Sequence, residues 1–415
     1  MQCSSCKVIA KRCHRTIFLY KCFRGESAAS CPAEPDECRG CTFAAGDLRA
    51  NEQPMLTNMH NLWVREHNRI VKELRIVNPR WRDEKLFQEA RRINIAEWQH
   101  IIFNEWLPIT LGTNYMKIWN LLPLTSGYSQ DFDTDHDPRI NNEFATAAFR
   151  FGHTLIVPTI PEKDERRRNR TRFDLTEVFN RGDILNDRNF VENNMRGLVE
   201  DEMPDFDGSF VDDIINHLFE DDDGGLNGGF DLAALNIQRG RDHGIPGYNE
   251  YREKCASTAS NFRRASSFSS LSSDGWMASA DVRNLRKVYD SVDDIDLFTG
   301  GILERNHKDG LVGPTFKCII GDQFLRLKRG DRFYYEYGAD PTTRFSEAQL
   351  QELRKTSLAR LHCDNSNIKR VQPLVFRMPI RGNELVSCTD GSIPRVNLDV
   401  FRESDDGAAV RRRNN

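Results

Sequence analysis

Between residues 55 and 76 the apolar side chains Leu56, Met59, Trp63, Ile70 and Leu74 recur at three- and four-residue steps, with Arg65, Glu66, Lys72 and Glu73 among the charged positions between them. That period suits an amphipathic α-helix and no strand. A second helix is expected from about Asp83 to Trp106, stopped by Pro108. A third is expected from about Asn142 to Val157, opened by Asn141 or Asn142 and ended by Pro158. Shorter helices fit 280–290, 316–326 and 346–361. Alternating strand patterns are scarce, and no repeat with a period of about 20–50 residues is present. The expected fold class is mainly α.

Between these elements, PEKDERRRNRTR at 161–172 reads as a charged loop, 221–229 as an acidic, glycine-rich turn, and the serine-rich stretch 257–279 as a mobile surface loop. The run Arg166 to Arg170 lacks interleaved aromatics and stands beside Asp164 and Glu165, so it reads as a solvated loop rather than a nucleic-acid patch. Asn169-Arg-Thr within it is a glycosylation sequon, usable in a secreted protein. A chain of 415 residues with 39% hydrophobic and 29% charged residues is ordinary for a globular protein, and a formal net charge of −4 exerts no overall pull on nucleic acid or anionic lipid. No apolar run reaches the ~18 residues of a membrane span. The basic opening MQCSSCKVIAKRCHRTIFLYKCF lacks a continuous apolar stretch, so no signal peptide is expected in it.

The eleven cysteines fall into two groups. Seven crowd the start, from Cys3 to Cys41, while Cys255, Cys318, Cys363 and Cys388 are spread through the body as disulfides of a secreted enzyme would be. The odd total leaves at least one thiol unpaired or paired with another molecule. Cys3-x-x-Cys6 and Cys38-x-x-Cys41 offer four thiolates to a zinc ion, but the 31 residues between the pairs are long for a compact knuckle, and disulfides or stray thiols are the favoured reading.

Four local motifs carry the function. They are Ala-Gly-Asp-Leu-Arg-Ala-Asn-Glu-Gln-Pro at 45–54, Ala-Phe-Arg-Phe-Gly-His-Thr-Leu-Ile at 148–156, and Leu-Asn-Ile-Gln-Arg-Gly-Arg-Asp-His-Gly-Ile-Pro-Gly-Tyr-Asn at 235–249. The fourth is a C-terminal set: Gly-Pro-Thr-Phe-Lys-Cys-Ile-Ile-Gly (313–321), Gly-Asp-Arg-Phe-Tyr-Tyr-Glu (330–336) and Leu-His-Cys-Asp-Asn (361–365). In order and separation they resemble the animal haem peroxidases of the myeloperoxidase–peroxidasin type. The wording of 321–333 looks most like that of arthropod chorion or salivary peroxidases. The resemblance covers about 41–402, leaving 1–40 as an unmatched Cys-rich, basic segment and 403–415 as a polar tail. It implies a mainly α peroxidase fold that lacks the upstream distal-helix segment.

The residues make physical sense for such a site. A b-type haem needs an axial ligand, cations for its propionates and a polar group above the iron. His153, one helical turn after Arg150 and Phe149, can share a face with them and present imidazole, guanidinium and an aromatic wall. On that face Arg150 can offer its guanidinium to a propionate, and the resemblance implies His153 as the proximal iron ligand. It implies Asn236 as the partner that orients the ligand's second nitrogen, and Arg239 as a further propionate cation. Arg49 matches the distal arginine, whose charge assists peroxide O–O cleavage. Glu52 matches the glutamate esterified to a haem methyl. Gln53 stands where myeloperoxidase has a methionine, which resembles lactoperoxidase-type enzymes and argues against chloride-using chemistry. Without the resemblance, Arg49 and Glu52 read as a surface ion pair at a helix start, His153 as a core histidine, and 235–249 as a loop whose asparagine caps a turn.

The family's Trp-Gly-Gln…Asp-His-Asp segment supplies the distal histidine, a second haem ester and a calcium ligand, and a separate loop supplies further calcium ligands. Neither is expected within 1–40, so calcium belongs to the family pattern while its ligands are expected to be missing here. Asp135-His136-Asp137 spells the distal triplet, but it follows Arg49, lacks Trp-Gly-Gln and lies 17 residues before His153. An EF-hand reading of Asp131, Asp133 and Asp135 fails because His136 stands at the sixth position and Asn142 at the twelfth. His67 falls on the apolar stripe of its helix and is expected to be a packed core histidine.

The resemblance thus implies an extracellular haem b peroxidase using hydrogen peroxide to oxidise phenols such as tyrosine, or halide-like anions. Its iron would sit on His153, with Glu52 as the candidate ester link. Disulfides Cys255–Cys318 and Cys363–Cys388 are implied by family position. The chain as given is expected to be a fragment with impaired activity. The alternatives are a haem-binding pseudo-peroxidase serving as a matrix or interaction module, and a chain that holds no haem.

Overall fold

The computed structural model describes residues 20–21, 42–43, 45–220, 228–259, 262–306 and 309–403. Most of the cysteine-rich start, with its CxxC pairs, lies outside them, as do most of the acidic glycine-rich turn and the tail from 404. Helices dominate the described residues, and the named strands form only two short antiparallel pairs, Tyr20–Lys21 with Thr42–Phe43 and Arg370–Val371 with Val386–Ser387. The chain divides into two compact units, one comprising 1–94, 158–202 and 355–415, the other 95–157 and 203–354.

In the first unit the helix Pro54–Val77 starts with Gln53 accepting the Met55 N–H and with proline at its first position, where no N–H is needed. It packs against Arg188–Glu200, Leu358–Asn365 and the turn Leu398–Phe401. Leu62, Ile70 and Leu74 are fully buried, but the stripe is rotated from the expected one. Leu56 is 38% exposed, whereas Glu66, expected among the outward charges, is 1% exposed. Glu66 can be buried because Arg69 pairs with it and the Asn365 amide donates to it. His67 is half-buried, edge-on to Phe87 at 5.1 Å, and so is no core residue. The loop 161–172 is closed by Asp164, which accepts from Arg168 and Arg170, so part of the basic run is neutralised within it. Cys363 and Cys388 are bonded.

Pro108, in the second unit, does not stop the helix that begins at Asp83 in the first. Asp83–Ile101 continues as a π-turn, Ile102–Trp106, and then as Leu107–Thr110. The Leu107 N–H reaches back five residues to the Ile102 carbonyl, resetting the register so that Pro108 falls in the first turn of a new segment. The expected helix 142–157 is also broken. An α-turn, Asn142–Thr146, ends at Ala147 (φ −136°, ψ −69°), and a 3-10 helix, Ala148–Leu155, follows. Pro314–Arg329 buries Phe316 and Ile320 completely. Gly301 meets the Phe316 ring so closely that a Cβ there would lie 2.0 Å from it. Cys255 and Cys318 are bonded. The serine-rich stretch is not a free surface loop. Phe268–Ser273 is a helix capped by Ser267, and Phe262, Leu271, Trp276 and Met277 are buried. The segment expected as one helix over 346–361 is instead two, Glu347–Leu353 in the second unit and Leu358–Asn365 in the first.

Candidate active site

In the second unit the 3-10 turn decides what accompanies His153. Side chains three apart eclipse in a 3-10 helix, so Arg150 and His153 share an edge while Phe149 does not. Phe149 stacks on Phe144 at 4.4 Å and meets Trp106 edge-on, joining an aromatic cluster instead of the ligand face. Asn236 is fully buried on the helix Leu232–Asp242, which Asp231 caps by accepting the Ala234 N–H. This segment is therefore a helix, not the loop that its glycines and proline allowed.

Three of the expected residues meet. Asn236 Nδ2 donates to His153 Nδ1 at 2.9 Å, and Arg150 Nη1 donates to Asn236 Oδ1 at 2.7 Å. Arg150 Nε also donates to the Ala145 carbonyl at 3.0 Å. The cation thereby sets which way the amide faces, and the amide sets the ring. Sequence reasoning had no signal for this third role, since Arg150 and Asn236 are 86 residues apart. Burial, and after it the Arg150 charge, push the His153 pKa down to about 4. The imidazole is thus neutral near pH 7, the form that ligates metals. A buried amide on the second nitrogen is the kind of outer partner a ligating histidine uses, so these residues fit an axial ligand. As placed, Nδ1 accepts. Ligation through Nε2 needs Nδ1 to carry the proton, hence an Asn236 amide turned over and an Arg150 that releases Oδ1. Arg239, one turn after Asn236, is exposed, and its guanidinium has no hydrogen-bonded or ionic partner among the described residues.

Arg49 and Glu52 belong to the first unit. Asp47 caps the short 3-10 helix Leu48–Asn51 by accepting the Arg49 N–H at 2.9 Å, and it also takes Arg49 Nε at 3.0 Å. The Arg49 side chain is 84% exposed, and its hydrogen bonds hold the Asp47 pKa down at about 2. Glu52 is half-buried, and its carboxylate has no hydrogen bond among the described residues. Burial raises its pKa against the opposing pull of Arg49. Its carbonyl is tied down by the Asn180 N–H at 3.0 Å. His136 sits in a turn with Nδ1 3.0 Å from Asp133. Among the described residues no group of three or more His, Cys, Asp or Glu could hold a metal ion.

The model of the family described as animal haem peroxidase matches residues 19–376, beginning inside the stretch read as unmatched and ending short of 402. Chorion peroxidase of Drosophila melanogaster is 40% identical over 379 residues, covering 90% of this chain and 45% of that protein. Peroxidasin of the same fly is 36% identical over 393 residues, covering 91% of this chain and 24% of its own length. The chain therefore spans half or less of these curated relatives. Among solved structures, peroxidase A from Dictyostelium discoideum superposes with a TM-score of 0.68 at 34% identity, over 80% of this chain and 59% of that one. A fatty acid alpha-dioxygenase from Arabidopsis thaliana shares the fold at 18% identity, with a TM-score of 0.58. A match across so much of the sequence, with the helical architecture to go with it, means that the chain belongs to the animal haem peroxidase family.

Proposed function

We propose that this chain holds haem b through His153 and takes part in peroxide-dependent oxidation of phenols or halide-like anions. The observation that carries the reading is the Arg150–Asn236–His153 chain, in which a fully buried amide holds a neutral, half-buried imidazole. Asn236, with its amide turned over and Oδ1 released by Arg150, would accept from the His153 Nδ1–H and keep the ring in one plane. Arg239, exposed one turn away, is the cation offered to a propionate. Glu52, a half-buried carboxyl with a raised pKa, is the candidate for an ester link. Haem, when bound, supplies the one-electron oxidising chemistry that hydrogen peroxide drives. Arg49 would place a fixed positive charge beside the peroxide oxygens, once released from Asp47. The relatives' names, one of them for the chorion, together with two disulfides, support an extracellular setting. No helix among the described residues is long and apolar enough to cross a membrane. Calcium stays a family expectation.

The test is haem titration followed at the Soret band. His153→Ala should abolish stable incorporation and His136→Ala should leave it intact; an unaltered Soret spectrum in His153→Ala would overturn the assignment. The second reading, a haem-binding pseudo-peroxidase acting as an interaction module, has one observation in its favour: the Arg49 guanidinium is engaged by Asp47 and exposed. A Soret band without phenol oxidation under peroxide would establish it.

A further inference from the structure

The second unit contains a buried phenol–imidazole pair that the haem site does not use. Tyr335 is 3% exposed, and its hydroxyl lies 2.7 Å from Nδ1 of His100, itself 3% exposed. The two come from distant elements, the helix Asp83–Ile101 and the motif Gly-Asp-Arg-Phe-Tyr-Tyr-Glu. Burial, helped by the Arg354 charge, pushes His100 down to about 4, so the ring is neutral near pH 7. With its proton on Nε2, it offers Nδ1 as an acceptor to the phenol.

From this pair a file of rings leads back to the segment that bears His153. Tyr335 meets Tyr334 at 5.1 Å, Tyr334 meets Phe103 at 5.4 Å, and Phe103 meets Phe324 at 5.8 Å. Phe324 meets Trp106 at 6.1 Å, and Trp106 meets Phe149 and Phe151, both within Ala148–Leu155. Tyr334 also lines a cavity of about 400 Å³, together with Trp98, Phe103, Phe324 and Leu327. Trp98 there is 49% exposed, so the cavity communicates with solvent. The π-turn Ile102–Trp106 supplies both Phe103 and Trp106 to the file, and such turns recur at functional sites.

We propose that Tyr335, with His100 as its proton acceptor, is a redox relay that lets phenolic groups be oxidised at the Tyr334 cavity, away from the haem; this rests on the haem reading above. Two properties of the pair suit it to the task. A phenol that has lost an electron is a strong acid, so even a weakened imidazole takes its proton across 2.7 Å without rearrangement. Burial of both groups keeps water and outside reductants from quenching the radical. The step balances as follows. Tyr335 gives one electron, by way of the ring file, to haem oxidised by hydrogen peroxide, and its hydroxyl proton to His100 Nδ1. A phenol in the cavity then gives one electron to the Tyr335 radical through Tyr334 and its own proton to solvent. His100 returns its proton to Tyr335. The net change is one phenol oxidised to a phenoxyl radical and one oxidising equivalent of peroxide consumed.

The experiment is rapid-freeze electron paramagnetic resonance on the full chain carrying haem, made with ring-deuterated tyrosine and mixed with hydrogen peroxide. Haem content is first fixed by the Soret band. A tyrosyl signal is expected that narrows with deuteration and is lost in Tyr335→Phe at equal haem content. In His100→Gln the radical should form slower by about 10²-fold, as for loss of a positioned proton acceptor, with a g-tensor showing a weakened hydrogen bond. A haem-loaded wild type with no tyrosyl signal, or a Tyr335→Phe variant that retains it, overturns the relay. Absence of a Soret band would instead count against the haem reading. The relay is then tested on the same chain with a photo-excited ruthenium tris-bipyridine oxidant and persulfate: a signal lost in Tyr335→Phe supports it, and one that persists overturns it.

Discussion

The imidazole of His153 and the guanidinium of Arg49 illustrate two ways of holding a functional side chain. His153 is held by Asn236, 83 residues away in sequence, which is in turn held by Arg150, and the helix carrying the amide is capped and packed. Arg49 is held by Asp47, two residues away, in an exposed pair. The first arrangement is interlocked around a buried amide, so removing either neighbour leaves a polar atom of that amide unsatisfied. The second is local and wet, so its members exchange partners with water at little cost. In this chain, therefore, the expected ligand group is held by partners distant in sequence, whereas the expected distal cation is held by its neighbour.

The largest effect expected separates the units by their covalent ties. Removing Cys255–Cys318 by paired Ala substitutions should cost about 4 kcal/mol, and removing Cys363–Cys388 about 3.5 kcal/mol, in the chain-entropy treatment, because the closed loops hold 63 and 25 residues. Urea unfolding checks both the size and the order; equal losses would mean that loop length is not what matters. Next comes the interlock. Asn236→Leu should weaken haem binding by about 10–100-fold, as losses of an outer-shell partner do. Arg150→Ala should cost less, since its hydrogen bond is to the amide and only its charge acts on the ring. A larger loss in Arg150→Ala would show that the arginine contacts the cofactor directly.

A pH effect follows from buried histidines in both units. His362 is fully buried in the first unit and His100 nearly so in the second, and each is lowered from 6.5 to about 4. The folded state binds fewer protons than the unfolded state between those values. Stability from these rings is therefore complete above about pH 6.5 and declines as pH falls toward 4. Melting temperatures taken across that window should drop, and His362→Gln should flatten the slope; an unchanged slope would relieve that histidine of the role. The smallest effect is expected at Arg49. Asp47→Asn keeps a capping side chain and surrenders only an exposed ion pair, so thermal stability should be unchanged, while the freed guanidinium should raise affinity for small anions such as thiocyanate. A marked drop in melting temperature would make this pair structural and narrow the contrast with His153.

The contrast bears on how much was legible beforehand. The long helices were readable because amphipathic period and caps are local, and Pro54–Val77 and Pro314–Arg329 fall close to where they were expected. Misreadings gather where a tertiary partner overrides the local rule. Pro108 is accommodated by a π-turn, Ala147 breaks the helix expected over 142–157, and Glu66 enters the core with Arg69 and Asn365. The serine-rich stretch looked mobile by composition, yet Leu271 and Trp276 among its serines anchor it. Serine content measures polarity, whereas anchoring depends on a few apolar side chains finding a surface.

By itself the sequence determined the helical class, the family through its ordered motifs, and the residue types from which a haem ligand could be chosen. Motifs and periodicity are properties of neighbours along the chain, so they need no fold to be read. Only the tertiary structure decided that Arg150 holds Asn236, that Phe149 leaves the face of His153 while Arg150 stays on it, and that His100 lies against Tyr335. The first and last depend on hydrogen bonds between segments 86 and 235 residues apart, and the second is reinforced by the contact of Phe149 with Trp106 on another helix. Such contacts arise only when packing brings the segments together, and nothing in the spacing of either segment encodes the meeting.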